Sequence, residues 1–341
     1  MTMRRRTFLQ LSATLATSGL ALSAKAADPS QTLTVGYIPI IPMTQLFIMV
    51  GESWAKDVGL DLKLTRFSSG PAMVEALMAG TLDVAYIGIG PAMLARARGS
   101  DIKVVAANVI DQVSLIGRGR LADIFPAATS PAEAFSRFRE TGRPAKIATL
   151  PRGSVPETVL RYYLSEVAKV PPSDVEILGV GEDEVQQMLL DGAVDAASIV
   201  EPILTVALTR DTTARIIAPA RTMLPHQPGA VVVVTATAIA NRRAAIAKLV
   251  TLHVKATRFV GSNPREATVD LVAFVGKNVD RTLMRAALTS DRTQLIADPH
   301  AIVESTRILQ TFQQRIGTQP GVVDIDQFFD FSFYDKVAGK P

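Results

Sequence analysis

The sequence predicts an α/β protein of two lobes, a clamshell in which each lobe is a doubly wound sheet with flanking helices and two crossover strands form the hinge. Three observations carry this. Strand-like and helix-like segments alternate at short intervals, as in doubly wound layers. The alternation starts over partway along the chain. One punctuated motif also occurs twice, in "ALMAGTLDVAYIGIGPAML" (76–94) and "MLLDGAVDAASIVEPIL" (188–204). Leu77, Gly80, Asp83, Ala85 and Ile87 align without gaps on Leu189, Gly192, Asp195, Ala197 and Ile199. Two copies of one supersecondary unit point to one architecture used twice.

The elements follow in order. "LTVGYIPI" from Leu33 reads as a strand ended by Pro39 and Pro42, "QLFIMVGESWAKDVGL" as a helix stopped at Gly59, and "DLKLTRF" as an alternating strand. "SSGPAMVEALMAG" has a capping cluster and Pro71 in a helix's first turn. "DVAYIGI" is a buried strand, "PAMLARARG" a short helix and "IKVVAANV" another strand. The second series is "KIATL", "SVPETVLRYYLSEVAKV", "VEILGV", "EDEVQQMLLDG", "VDAASIV" and "PILTVALTRD", in the same order of types. Between the copies, the Pro- and Gly-marked stretch 111–144 reads as an irregular passage from one lobe to the other. A return crossing falls at "GAVVVVTATAIANR", and the remainder reads as mostly helical. The division expected is 1–26 an export signal, 27–112 the first part of lobe one, 113–230 lobe two, and 231–341 the largely helical second part of lobe one.

The signal reading rests on Arg5 and Arg6 ahead of Thr7, Phe8 and Leu9, a short Ala-, Ser-, Thr- and Leu-rich stretch, and small residues at Ala24 and Ala26. This resembles a twin-arginine export signal cleaved after Ala26. Its removal takes four bases and no acid, so 36 Lys and Arg fall to 32, matching 32 Asp and Glu. The pI near 9.4 is then a property of the signal and gives no basis for a nucleic-acid partner. The 341 residues contain no cysteine, which excludes disulfides, thiolate metal sites, a cysteine nucleophile and a lipid-attachment cysteine. Mean hydropathy is +0.24, yet the longest apolar run, "GAVVVVTATAIA", is too short to cross a bilayer as a helix. A freely soluble periplasmic protein is expected.

Candidate site residues lie where strands end and helices begin. Pro71, Pro91, Pro156 and Pro202 each follow the carboxyl end of a strand, where open α/β sheets bind ligands and free backbone N–H groups favour anions. Gly70, Gly88, Gly90 and Gly153 let backbone approach a ligand or serve plain turns. Ser69 and Ser154 cap helices, Ser154 with Glu157 forming a capping box, and their hydroxyls are also open to a ligand. Arg152 places a guanidinium in the loop before a second-lobe helix, suited to carboxylate, sulfonate or phosphate. Glu201 either pairs with Arg152 or recognises an amino group. His226, His253 and His300 are far apart with no metal-ligand spacing, and no nucleophile elbow, phosphate loop or dinucleotide fingerprint occurs. Phe328, Phe329, Phe331 and Phe333 are expected to pack a terminal element on the first lobe.

With "VGYIPI", "AKDVGLDLKL", "ALMAGTLDVAYIG", "RGSVPETVLRYYL", "LLDGAVDAASIVEP" and "FVGSNPREA", the chain resembles the periplasmic substrate-binding proteins of ABC importers that serve sulfonates, nitrate, taurine and thiamine-pyrimidine precursors. That resemblance implies a type II binding-protein clamshell, a monomer without cofactor or metal that holds a small solute between its lobes and hands it to a permease driven by an ATPase. It implies contacts from the loop after the first strand, here Pro42, Thr44 and Gln45, and from Ser69, Gly70, Gly90, Pro91, Arg152, Gly153, Ser154 and Glu201. The loop "PIIPMTQLF" is more apolar than the commoner pattern, which leans toward a small organic anion over nitrate. Alternatives are a thiamine-precursor pyrimidine as ligand, a sensor passing its ligand to a receptor kinase, or an enzyme on the same scaffold, whose resemblances call for the cysteines this chain lacks.

Overall fold

A computed structural model describes residues 31–276 and 280–339; the expected export segment lies outside them. The first strand, β1 (Thr32–Tyr37), leads through a buried turn into α1 (Thr44–Gly51) and α2 (Trp54–Asp57), then β2 (Asp61–Arg66), α3 (Gly70–Met78), β3 (Val84–Gly88), α4 (Ile89–Ala97) and β4 (Ile102–Ala107). The single helix expected over 45–60 is two helices. Ser53 sits at φ 60 between them, a left-handed residue that ends the first helix without glycine or proline.

The chain then crosses through β5 (Val109–Ile110) into β6 (Ser114–Gly117), α5 (Gly119–Ile124) and α6 (Pro131–Arg139). The stretch expected to be irregular is therefore ordered, and the expectation is corrected here. Ser130 caps α6 by accepting the Glu133 N–H at 3.2 Å, Glu133 reaches back to the Thr129 N–H at 2.7 Å, and Ala134, Phe135 and Phe138 form its buried face.

The second series is β7 (Ala145–Thr149), α7 (Val155–Tyr162), β8 (Val175–Gly179), α8 (Glu182–Asp191), β9 (Ala196–Ile199), α9 (Ile203–Arg210), β10 (Arg215–Ala218) and α10 (Ala220–Met223). Of these, β10 and α10 were not foreseen. The return strand β11 (Ala230–Thr235) ends at Thr235, whose hydroxyl caps α11 (Ala236–Ser262). After it come α12 (Pro264–Val275), α13 (Arg281–Leu288), β12 (Gln294–Leu295), α14 (Val303–Arg315), α15 (Ile325–Phe328) and α16 (Ser332–Ala338).

Two five-stranded sheets result, ordered β2-β1-β3-β11-β4 and β8-β7-β9-β6-β10. The orders correspond strand for strand. In each, the fourth strand runs antiparallel to its neighbours and is the one that has just crossed over from the other sheet. Registers correspond too: Val35 lies opposite Val84 and Gly36 opposite Ala85, as Ile147 lies opposite Ala196 and Ala148 opposite Ala197. The inner strands β3, β11, β7, β9 and β6 are apolar and buried almost throughout, beneath helices. Phe328, Phe329 and Phe333 are buried, and Phe329 bridges Val104 of β4, so the C-terminal aromatics pack on the first sheet as expected.

Candidate functional site

The helix starts are built by local chemistry. At α3, Ser69 is the N-cap and its Oγ accepts the Ala72 N–H at 3.3 Å. At α7, Ser154 Oγ accepts the Glu157 N–H at 3.3 Å, while the Glu157 carboxylate, paired with Arg161, accepts the Gly153 N–H at 3.1 Å. This is a capping box displaced by one residue, because the Ser154 N–H is already bonded to the Pro151 carbonyl. Gly153, at φ +84, supplies the left-handed turn. Both serine hydroxyls thus serve their helices.

Three of these starts meet. A Cβ on Gly70 would lie 2.5 Å from Pro91 Cγ, joining the starts of α3 and α4. One on Gly88 would lie 2.9 Å from Val155 Cγ2, and one on Gly90 would lie 3.4 Å from the Gly153 carbonyl and 2.9 Å from Gln313 Nε2. The space these glycines leave is filled by protein. Gly88 and Gly90 allow the starts of α4 and α7 to touch across the two lobes. Gln313, on α14 and 1% exposed, wedges between Gly90 and Thr158, where its Nε2 lies 3.4 Å from Thr158 Oγ1. Nothing in the sequence singled it out.

The first loop is also turned inward. Pro42, Thr44 and Gln45 are buried. Thr44 Oγ1 donates to the Ile41 carbonyl at 2.6 Å and Gln45 Nε2 to the Asn108 carbonyl at 2.8 Å. Asn108 returns a bond from Nδ2 to the Pro42 carbonyl at 3.2 Å. These polar groups fasten α1 to the segment joining β4 and β5.

Arg152 and Glu201 do not pair. Arg152 is exposed and donates to the Ile316 carbonyl at the end of α14, at 2.8 Å. Glu201, 2% exposed, accepts from Arg292 Nε at 2.8 Å, from the Thr205 N–H at 2.8 Å and from Thr205 Oγ1 at 2.9 Å. The carboxylate serves the start of α9 and is neutralised by an arginine from the far part of the chain, a partner that sequence reasoning missed. Arg292 and Arg221 border a cavity of about 410 Å3 beside the hinge. Among the described residues no cluster of His, Cys, Asp or Glu is placed to hold a metal ion, and no helix is long and apolar enough to cross a membrane.

A family model described as the NMT1-like family matches residues 26–274. The chain belongs to the NMT1-like family. A curated Brucella abortus relative, whose name describes it as a binding protein and nothing more, is 28% identical over 204 residues. That match spans 59% of this chain and 57% of the relative, little more than half the length of each. Among solved structures, the periplasmic aliphatic sulphonate binding protein SsuA of Escherichia coli superposes with a TM-score of 0.69 at 18% identity, over 88% of this chain and 92% of that one. The periplasmic nitrate-binding protein NrtA of Synechocystis gives 0.73 at 15%, over 91% and 88%. The ligand-binding component of an ABC-type import system from Staphylococcus aureus gives 0.71 at 16%, over 90% and 99%. At these identities the likeness is one of fold, and that fold is the two-lobed α/β clamshell.

Proposed function

We propose that this NMT1-like chain is the solute-binding component of an ABC import system, exported by its twin-arginine segment, that captures a small organic anion between its lobes and delivers it to a membrane permease. One observation carries the reading. Two sheets of matching strand order turn the starts of α4 and α7 toward each other, with two crossing strands between them. Lobes so connected can part and close on a solute. The fold of the sulphonate- and nitrate-binding neighbours and the family match support it.

In the structure the helix starts touch, so a solute reaches Ser69, Gly70, Gly90, Pro91, Gly153 and Ser154 only when the lobes separate. Arg152 is the exposed cation nearest these starts in sequence. Micromolar affinity needs about 8 kcal/mol, whereas a helix terminus contributes roughly 0.3–1 kcal/mol per charge. Direct hydrogen bonds and burial of apolar solute surface must therefore supply most of the affinity.

Thermal melting of the mature chain with alkyl and aryl sulfonates, aromatic carboxylates, taurine and aminopyrimidines tests the reading. A solute at about a hundred times its Kd adds roughly 2.7 kcal/mol, an increase of several degrees for a protein of this size. A panel in which no solute raises the melting temperature would remove the proposal.

A further inference from the structure

The 27 residues of α11 include five lysines and arginines and no aspartate or glutamate. Arg242, at a kink near the helix start, is taken up by an ion pair with Asp83. The other four, Arg243, Lys248, Lys255 and Arg258, recur at spacings that put them on one side of the helix, along about 22 Å of its length. That side faces outward. Arg243, Lys255 and Arg258 are exposed and Lys248 is half-buried, while Ile246, Leu249, His253 and Ala256 form the buried side.

None of these four cations has an ion pair among the described residues. Lys248 donates to Gln31 Oε1 at 2.7 Å and to the Val58 carbonyl at 2.9 Å. Arg243 donates to Ser332 Oγ at 3.0 Å and lies over the Phe333 ring. The flanking helices do not offset the charge: α2 sets Lys56 beside Asp57, and α16 sets Lys336 beside Asp335, which His300 already engages at 2.9 Å. The excess on this face is therefore that of α11.

Beside the stripe an open groove of about 770 Å3 runs between α11 and α16, with Val58 in its wall. Ala244, Ala247, Leu252, Phe333 and Val337 make its lining apolar, Arg243, Lys248 and Lys336 stand around it, and no carboxylate lines it. Val58 is 39% exposed. Trp54, the only tryptophan of the chain, is half-buried edge-on against Phe259, with Lys255 Nζ 3.5 Å from its ring centre.

Unpaired cations spread along a helix, an apolar groove beside them and a tryptophan at the edge together select the partner. A bilayer with anionic headgroups offers phosphates across the whole stripe and apolar surface for the groove, and affinity for it grows with both. Nucleic acid would answer the charge and leave the groove unfilled. Lysines engage phosphate as point charges without a fixed geometry, which suits a fluid surface better than an ordered acidic protein. Tryptophan and long basic side chains, apolar along the stem and polar at the tip, belong at the headgroup layer.

We propose that this face rests reversibly on an anionic phospholipid surface, with Arg243, Lys248, Lys255, Arg258 and Lys336 at the phosphates and the groove against the apolar layer beneath them. It is a second contact surface, away from the helix starts of the cleft, and does not depend on the solute-binding reading.

Cosedimentation of the mature chain with vesicles tests it. Phosphatidylcholine alone is set against phosphatidylcholine mixed with phosphatidylglycerol, at low salt and at about 1 M salt, where the screening length falls to about 3 Å. At low salt the chain is expected on the anionic vesicles, roughly tenfold or more above its partitioning to the neutral ones, and high salt removes the difference. Because Trp54 lies on this face, its emission shifts to shorter wavelength with the anionic vesicles. The combined variant Lys255→Gln, Arg258→Gln, Lys336→Gln lowers partitioning roughly tenfold or more. Its melting stays near that of the wild type, since all three side chains are exposed and without ion pairs among the described residues. Arg120→Gln, Arg139→Gln, Arg210→Gln removes as much charge from exposed positions beside the other sheet and leaves partitioning unchanged. Equal loss in the two combined variants would mean that binding follows overall charge, and overturns the proposal. So does equal partitioning to neutral and anionic vesicles, or binding without a shift in Trp54 emission. Binding of polyglutamate but not of vesicles would make an acidic protein the partner and overturns it as well.

Discussion

Asp83 and Asp195 do the same work at the same point of the two sheets. Asp83 Oδ2 accepts the Thr34 N–H and hydroxyl, both at 2.9 Å, its own N–H bonds the Thr34 carbonyl, and its carboxylate pairs with Arg242. Asp195 Oδ2 accepts the Lys146 N–H at 2.8 Å, its N–H bonds the Lys146 carbonyl, and Arg143 grips both carboxylate oxygens at 2.6 and 2.8 Å. Each aspartate pins the start of a central strand, β3 or β9, to its neighbour.

Asp195→Ala leaves the Lys146 N–H without its side-chain acceptor and removes a bidentate partner from Arg143. A group deprived of its bond costs about 1–3 kcal/mol, and the Arg143 side chain is 51% exposed, which discounts the ion pair. A loss of about 2 kcal/mol in urea unfolding is expected, with a similar loss for Asp83→Ala. A loss below about 0.5 kcal/mol in both would mean that the repeated aspartates are not what holds these strands in register.

This repeat was legible in the sequence because its apolar period, glycine stop and aspartate start are local features. The inserted strands were less so. "AVVVVT" announces β11, but its place between β3 and β4 depends on strands distant in sequence. "SLIG" is four residues between Val113 and Arg118, too short for its period to register, although it completes the second sheet. The α1–α2 break turns on a left-handed serine that no composition rule flags. In the site, Ser, Pro and Gly marked the helix starts correctly. What fills the space above each glycine is a tertiary matter, and Glu201 finds its partner 91 residues away.

Gly70 has a steric reason to be glycine, since its backbone is not left-handed. An alanine Cβ would meet the Pro91 ring at 2.5 and 3.1 Å, and a proline ring cannot swing aside. Gly70→Ala is expected to cost about 1–3 kcal/mol and to separate the starts of α3 and α4. Gly90→Ala meets the movable end of Gln313 at 2.9 Å and should cost less. Chemical denaturation of the two variants checks the order, and a cheaper Gly70→Ala would contradict the packing described.

The Glu201–Arg292 pair ties α9 to the segment after α13. Removing one partner of a buried pair costs roughly 3–5 kcal/mol, and the 26% exposure of Arg292 lowers this. Arg292→Ala should therefore lose about 2 kcal/mol. Glu201→Gln should lose less, because the amide oxygen still accepts from Thr205. A double-mutant cycle measures the coupling; a value near zero would show that the two side chains touch without holding the segments together.

His253 gives the fold a pH dependence of definite sign. It is wholly buried against the first sheet, with Nε2 2.8 Å from the Ala107 carbonyl and Nδ1 3.3 Å from the Tyr86 hydroxyl. Burial disfavours the imidazolium and pushes its pKa down to about 4 from 6.5. Above pH 6.5 neither folded nor unfolded chain protonates this ring and it contributes no slope. As pH falls from 6.5 to 4 the unfolded chain takes the proton first, so stability declines, and below 4 the decline from this group ends. The full difference is on the order of 3 kcal/mol. Asp270 acts oppositely in part of this range, because burial and Glu52 raise its pKa to about 6, so its contribution grows as pH falls. The two are separated by comparing the wild type with His253→Gln: the difference in unfolding free energy should shift in favour of the variant by about 3 kcal/mol between pH 7 and pH 4. A constant difference across that interval would mean that the folded chain protonates His253 as readily as the unfolded chain does.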